Sequence, residues 1–369
     1  MIDDHAHPFP LAYAPLDLGQ ISLDVGGEDG ETRRRRAGPG RVFQELCLQR
    51  LGALLGVPAD AEDAEVLAAR EQGAAEDWGA HVRRLFDDAD VTGMVLDFGV
   101  PVAGGGEAGD YAALIGRPVW WLARLDPLVD RLVSEGAGAG AVLDAVGQLM
   151  DEAVAHGAIG FKTIVAYRTG LHVDPDATVA SADASLTRDL EAPVRRRAKP
   201  LRDLVVRTVL ERAADLGRPV QFHTGFGDSE IRLADANPLL LDDLLSSPAG
   251  RAATVVLIHG AHPYESELAH LVTVRPNVYA EVSLSNLFAP LGTADRLLRL
   301  VDLAPRHKLL AGSDGHGPPE THWFASAVLR DAFADVARRL RAAGARERFV
   351  DATRQALFEE NARAVYRLG

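Results

Sequence analysis

The chain is poor in several things that would have narrowed its role. It has one cysteine, Cys47, so no intrachain disulfide can form. That thiol sits in the amphipathic run RVFQELCLQRLGALLG, where a core position is expected. Positive charge is in deficit: 39 Lys and Arg against 53 Asp and Glu leave a net charge of -14, which argues against a nucleic-acid partner. The one basic run, Arg33 to Arg36, is short, lies near acidic residues and is expected as a solvated loop. No apolar stretch reaches the roughly 20 residues that span a bilayer, and no basic-then-apolar leader opens the chain, so no membrane role and a cytoplasmic setting are expected. No GxGxxG or Walker-type loop follows the first apolar run, which weakens a nucleotide-binding function. Lysine is scarce as well, occurring only as Lys162, Lys199 and Lys308 among many arginines.

Short apolar, β-branched runs are plentiful, by contrast. They occupy 91–99, 117–126, 157–167, 218–227, 253–262, 277–286 and 308–317, and the opening IDDHAH makes eight. Between most of them lie helical patterns whose apolar residues return at i, i+3 or i+4 and which often stop at glycine. Continuous apolar strands alternating with amphipathic helices imply a parallel sheet covered by helices, and eight such units predict a closed α/β structure, the (β/α)8 TIM barrel, as one domain over 1–369. Roughly eighty residues separate the first strand from the second, where a barrel needs far fewer. That stretch predicts helices over 42–55, 60–72 and 76–89, and residues 10–90 are expected as an inserted helical cap or lid. A second long connection, Thr169 to Pro200, is expected as a surface excursion near the barrel mouth.

The C-terminal ends of barrel strands converge on one face, where the chemistry is done. The first strand ends in His5 and His7, which share a face in an extended segment. The fourth carries Lys162, the fifth ends in His223, the sixth in His259 and the eighth in Asp314. Neutral imidazoles with a hard carboxylate suit a divalent transition metal with one position open for water. Such an ion brings bound water towards a neutral pKa and polarises a carbonyl, and Asp314 beside it can act as general base and then general acid. Zinc is the first candidate, with manganese and iron accepting the same ligands.

HxH on strand one, Lys on strand four, His on strands five and six and Asp on strand eight resemble the amidohydrolase superfamily. The matching pieces are DDHAH, GFKTIVAYRTGL, QFHTGFGD, LIHGAH and AGSDGHG, and they span nearly the whole chain. FKTIVAYRTGL with QFHTGFGDSEIRLADANPLLLDDLL further resembles the amidohydrolase-related domain associated with glutamine-synthetase-like proteins. The resemblance implies a metal-dependent hydrolase whose ligands come from His5, His7, Lys162, His223, His259 and Asp314. Lys162 has two open roles: a carboxylated lysine bridging two ions, or an ammonium near the mouth beside a single ion. In the one-ion case the ligands are His5, His7, His223 and Asp314, and His259 orients water or carbonyl.

Arg168 and Arg124 are expected to clamp a substrate carboxylate, with a loop salt bridge as the ordinary alternative for each. Thr224 and Asp228 are candidates for substrate contact or for support of a ligand from behind, while the glycines of HTGFGD serve a tight turn. Asn286 and Ser283 could donate to substrate or cap a helix. His262, His316 and His322 lie near enough to the mouth to matter. The leading expectation is hydrolysis of an amide or related C–N bond in a small carboxylate-bearing molecule, with a γ-glutamyl amide suggested by the resemblance. Nonoxidative decarboxylation of an aromatic or unsaturated acid is the alternative enzyme, and a barrel retained only for binding is a third. The expected partner is a small-molecule substrate, with homo-oligomerisation through the insertion also open.

Overall fold

The computed structural model describes residues 1–21, 23, 40–99, 105–188 and 193–369, and the Arg33 to Arg36 run lies outside them. Eight parallel strands follow one another in chain order: β1 (Ile2–Ala6), β2 (Gly93–Asp97), β3 (Val119–Arg124), β4 (Gly160–Thr163), β5 (Val220–His223), β6 (Val255–Ile258), β7 (Val278–Val282) and β8 (Leu309–Ala311). Helices lie between them, so the expected (β/α)8 barrel is the fold. Each strand is shorter than the apolar run that contains it, because the residues past its end turn out of the ladder.

Two of these turns close the barrel. Just beyond β8, the Asp314 N–H donates to His5 O at 2.8 Å, and the His7 N–H donates to Gly315 O at 2.8 Å. Asp3 reinforces the seam by accepting the Ser313 N–H at 2.7 Å.

The register of β1 on β2 slips between Asp3, opposite Met94, and Ala6, opposite Leu96. Three steps on β1 against two on β2 make a bulge, which interrupts the strict alternation expected for this strand. Asp4, two residues after Ile2, faces the barrel interior, where Tyr366 Oη donates to it at 3.3 Å, and the slipped register accompanies the turn by which His5 and His7 point together at the opposite end. Ile2, Val95, Leu122, Val256, Ile258 and Leu310 fill the interior from five strands, and Ala362 and Tyr366 of the C-terminal helix pack onto this layer. The site is therefore built on a solid core rather than over a pore.

The long first connection supplies α1 (Val42–Leu55), α2 (Asp63–Glu76) and α3 (Trp78–Asp88). The first has the predicted bounds. The break between the other two falls at Asp77, whose carboxylate caps α3 by accepting the Ala80 N–H at 2.8 Å. Cys47 is buried in α1, as its apolar setting implied. Arg70 of α2 is fully buried and donates from Nε to Glu320 Oε1 at 2.7 Å, and His81 Nε2 of α3 lies 2.8 Å from the same oxygen. Glu320 lies in the first turn of the helix Pro319–Ala342 after β8, so this ion pair binds the insertion to the barrel.

The Thr169 to Pro200 connection carries two short helices, Val179–Thr187 and Val194–Arg197, many of whose residues are exposed. It touches the mouth through Arg195, which donates to Tyr167 O at 2.9 Å and pairs with Asp235 at 2.7 Å.

Replacing Glu320 by Ala removes the buried carboxylate that Arg70 Nε and His81 Nε2 share. The unfolding free energy from a denaturant titration is expected to fall by about 3–5 kcal/mol. A loss below about 1 kcal/mol would mean that the network behaves like an exposed surface pair.

Candidate metal centre and its cavity

His5 and His7 leave β1 with their rings 5.2 Å apart, and both Nε2 atoms face one carboxylate oxygen. Asp314 Oδ1 lies 3.3 Å from His5 Nε2 and 3.2 Å from His7 Nε2. His259, at the end of β6, has its ring 5.4 Å from His5 and 4.4 Å from His223, the last residue of β5. Lys162 of β4 is buried, and all six side chains line one cavity of about 320 Å³. Three residues just past strand ends here take a positive φ: His259 at 72°, Leu284 at 48° and Asp314 at 51°. For residues other than glycine this costs on the order of 1–3 kcal/mol each and is sustained by the surrounding packing.

For His7, His223 and His259 the hydrogen bonds fix which nitrogen carries the proton. A carbonyl can only accept, so the His7 Nδ1–H donates to Asp97 O at 3.1 Å and the His223 Nε2–H donates to Phe226 O at 3.1 Å. Ser283 donates its hydroxyl to Glu281 Oε2 at 2.8 Å and therefore accepts from His259 Nδ1, also at 2.8 Å. In their neutral forms these three rings keep lone pairs on His7 Nε2, His223 Nδ1 and His259 Nε2. The His7 lone pair confronts a carboxylate oxygen at 3.2 Å, an arrangement that is repulsive until a cation sits between them. His5 Nδ1, His5 Nε2 and Asp314 Oδ1 are buried and make no hydrogen bond. Buried acceptors of this kind call for a positive partner, and the donor set fits a divalent metal.

The electrostatics agree. Burial first, and then the Lys162 charge, pushes His5 down to about 4, and burial holds His223 and His259 well below the usual imidazole range. Burial alone would raise the Asp314 carboxyl, but the facing imidazoles, His259 foremost, hold it well below the carboxylate range. Near neutrality His5, His223 and His259 are therefore neutral and Asp314 is ionised. Burial also lowers Lys162 to about 8, so a minor fraction of its amine, roughly a tenth near pH 7, is uncharged.

The remaining candidates divide. Arg124, Arg168, Asp228 and His316 line the same cavity. Arg124 donates from Nε to Asp97 Oδ2 at 3.0 Å, and Arg168 pairs with Asp130 at 2.9 Å and Glu230 at 3.3 Å, so each guanidinium is already engaged. His316 donates from Nδ1 to Asp314 O at 3.0 Å. Thr224, Asn286 and His262 are not brought into the cavity. Thr224 donates to Ile258 O at 2.6 Å, Asn286 to Val282 O at 3.1 Å, and His262 turns to Glu265 at 2.6 Å. Backbone carbonyls exposed by the turning strand ends take the first two side chains, so the expected substrate contacts at these three positions are corrected to structural ones. His322 also supports rather than lines the site, donating from Nε2 to His7 O at 2.8 Å.

The family model for amidohydrolases matches residues 2–368. This chain belongs to the amidohydrolase family. A Lactobacillus casei protein provisionally assigned as a metal-dependent hydrolase has the same architecture, with a TM-score of 0.85 and 26% identity over 100% of this chain and 95% of that one. A uronate isomerase from Thermotoga maritima superposes with a TM-score of 0.70 at 11% identity over 99% of this chain and 94% of that one, a likeness of fold alone. Protein FluG of Emericella nidulans is 33% identical over 201 residues, which cover 51% of this chain and 23% of that protein.

Three residues of this amidohydrolase site escaped the sequence reading. Asp97 ends β2 as the partner of Arg124 and the backbone acceptor for His7; Glu281 holds the Ser283–His259 pair; Tyr167 packs its ring 4.5 Å from His223. Only Asp97 left a signal, an acid at a predicted strand end in VLDFG.

In the metal-free protein, the His5 and His322 imidazoles are expected to titrate near pH 4, since burial lowers both to about that value. A depressed imidazole pKa means that protons compete with a metal only below it. Both rings should therefore stay neutral in an NMR titration taken from pH 7 to pH 5, and a midpoint near 6.5 would show that water reaches them.

Proposed function

We propose that this amidohydrolase cleaves an amide or related C–N bond in a small carboxylate-bearing molecule. His5, His7, His223 and Asp314 hold a divalent metal in this proposal, with zinc the first candidate. The observation that carries it is the His7 Nε2 lone pair set 3.2 Å from Asp314 Oδ1, with its tautomer fixed by Asp97 O. The family match and the hydrolase assignment of the Lactobacillus casei neighbour support it. A divalent ion bound there supplies Lewis acidity and brings coordinated water towards a neutral pKa.

The chain's own residues do the rest. Asp314 is ionised and can take a proton on a carboxylate oxygen and return it to the departing amine. His259, pinned through Ser283, presents its Nε2 lone pair either to the metal or to a proton of the attacking water. Lys162 is buried, and its lowered pKa supplies the free amine that carboxylation requires, which would admit a second ion. If it is not carboxylated, its ammonium faces the substrate. Arg124 has Nε committed to Asp97, so a substrate carboxylate meets its free edge rather than its full fork, and Arg168 meets the substrate at the mouth. A γ-glutamyl amide is the candidate substrate, suggested by the glutamine-synthetase-associated resemblance.

Elemental analysis of protein purified without chelators, with and without Lys162→Ala, tests the metal count. Two ions falling to one or none in the variant would support the carboxylated lysine, and one ion in both would leave Lys162 as a substrate contact. Assay of a panel of γ-glutamyl and other amides for released ammonia or amine tests the reaction. Asp314→Asn is expected to lower turnover roughly a thousandfold, while release of carbon dioxide instead of an amine would overturn hydrolysis.

A further inference from the structure

We propose that the Tyr167 hydroxyl is a hydrogen-bond donor to the reacting oxygen of the substrate, and that position 227 is glycine in order to leave room for it. The inference rests on the amide-hydrolase function above and adds a residue to it.

Tyr167 sits on α4 (Val165–Arg168), the short turn that follows Lys162 on β4. Its backbone is held at both ends, by its N–H to Ile164 O at 2.9 Å and by Arg195 Nη1 to its carbonyl at 2.9 Å. The ring lies against His223, 4.5 Å away at an angle of 59°, and lines the cavity with it. Its hydroxyl oxygen accepts the Asp228 N–H at 3.3 Å. The hydroxyl's own proton has no acceptor among the described residues. A fixed donor without an acceptor, beside a candidate metal ligand, is poised for an oxygen that arrives with the substrate. Burial, and then the Asp228 charge, pushes the phenol pKa up, so the group is a donor and not a base.

Gly227 supplies the independent observation. A Cβ there would lie 1.9 Å from Tyr167 Oη and 3.1 Å from His223 Nε2. Its backbone is outside the left-handed region, so conformation does not demand glycine at this position. Space does. Any side chain at 227 would drive the hydroxyl off the cavity wall.

In amide hydrolysis, a water oxygen bonds to the carbonyl carbon and the carbonyl oxygen gains negative charge. The C–N bond then breaks, and the amine leaves with the proton that Asp314 took from the water. A donor already aimed at that oxygen is strongest where the charge is greatest. Tyr167 contributes no proton transfer and forms no bond.

The test is calorimetric binding of acetohydroxamate, a small probe with a carbonyl oxygen beside an anionic N–O oxygen, to metal-loaded wild-type protein and to Tyr167→Phe and Gly227→Ala. Each variant is expected to weaken binding roughly tenfold or more, the worth of one hydrogen bond to a charged acceptor. In Tyr167→Phe, metal content and thermal midpoint should stay at wild-type values, which a merely structural role for the ring would not predict. Equal affinity in Tyr167→Phe and wild type, or no binding by wild type, overturns the proposal. Tyr167-dependent binding in a protein that releases no amine from any amide would overturn hydrolysis and leave the donor standing.

Discussion

The bonds that close the barrel are also the bonds that assemble the site. Asp314 N–H to His5 O and His7 N–H to Gly315 O join the last strand to the first, and they place two imidazoles and a carboxylate side by side. Any loosening of that seam would separate the donors as it opened the barrel. Fold stability and site geometry therefore rest on the same two hydrogen bonds, each made by the backbone of a candidate ligand or of a residue adjoining one. This is an economical way to hold a constellation whose side chains repel one another without an ion, because the backbone of a closed parallel sheet cannot easily yield.

The same logic extends to the ring orientations. His7, His223, His316 and His322 each donate to a backbone carbonyl, and His259 is pinned through Ser283 to Glu281. Carbonyl acceptors sit on strand ends and tight turns, so the imidazole tautomers follow from the path of the chain and not from a layer of mobile carboxylates. His5 is the exception. Neither of its nitrogens is engaged, and it is the ring most dependent on an ion for its orientation.

Sequence made the frame of this site legible because the strand ends of a barrel converge, so a residue's place in an apolar run also gives its place around the mouth. His5, His7, Lys162, His223, His259 and Asp314 could all be found that way. Residues defined by a neighbour could not. Asp97 looks like any acid closing a strand until β3 brings Arg124 against it. Tyr167 lay inside an apolar run assigned wholly to a strand, which in fact ends at Thr163 and turns. Thr224 and Asn286 failed for the opposite reason: strand-end position placed them near the mouth, but turns with a positive φ at neighbouring residues exposed carbonyls that captured their donors. The bulge in β1 was invisible too, since HAH spacing is the same with or without a slipped register upstream of it.

The glycines of HTGFGD show how one motif can hold two constraints. Gly225 has φ at 74°, and a Cβ on it would meet Ala261 C at 2.4 Å, so it serves the turn that lets the β5 and β6 loops approach. Gly227, two residues on, bears on the cavity instead. A turn glycine tolerates little change because the backbone would strain, whereas a cavity glycine is limited only by what stands opposite it. Position 227 therefore couples directly to position 167: a smaller residue than tyrosine there would relieve the contact and admit a side chain at 227, exchanging a hydrogen-bond donor for a filled wall. Selectivity between substrates with and without an oxygen at that point would then turn on this pair, while the seam that carries the metal ligands stayed unchanged.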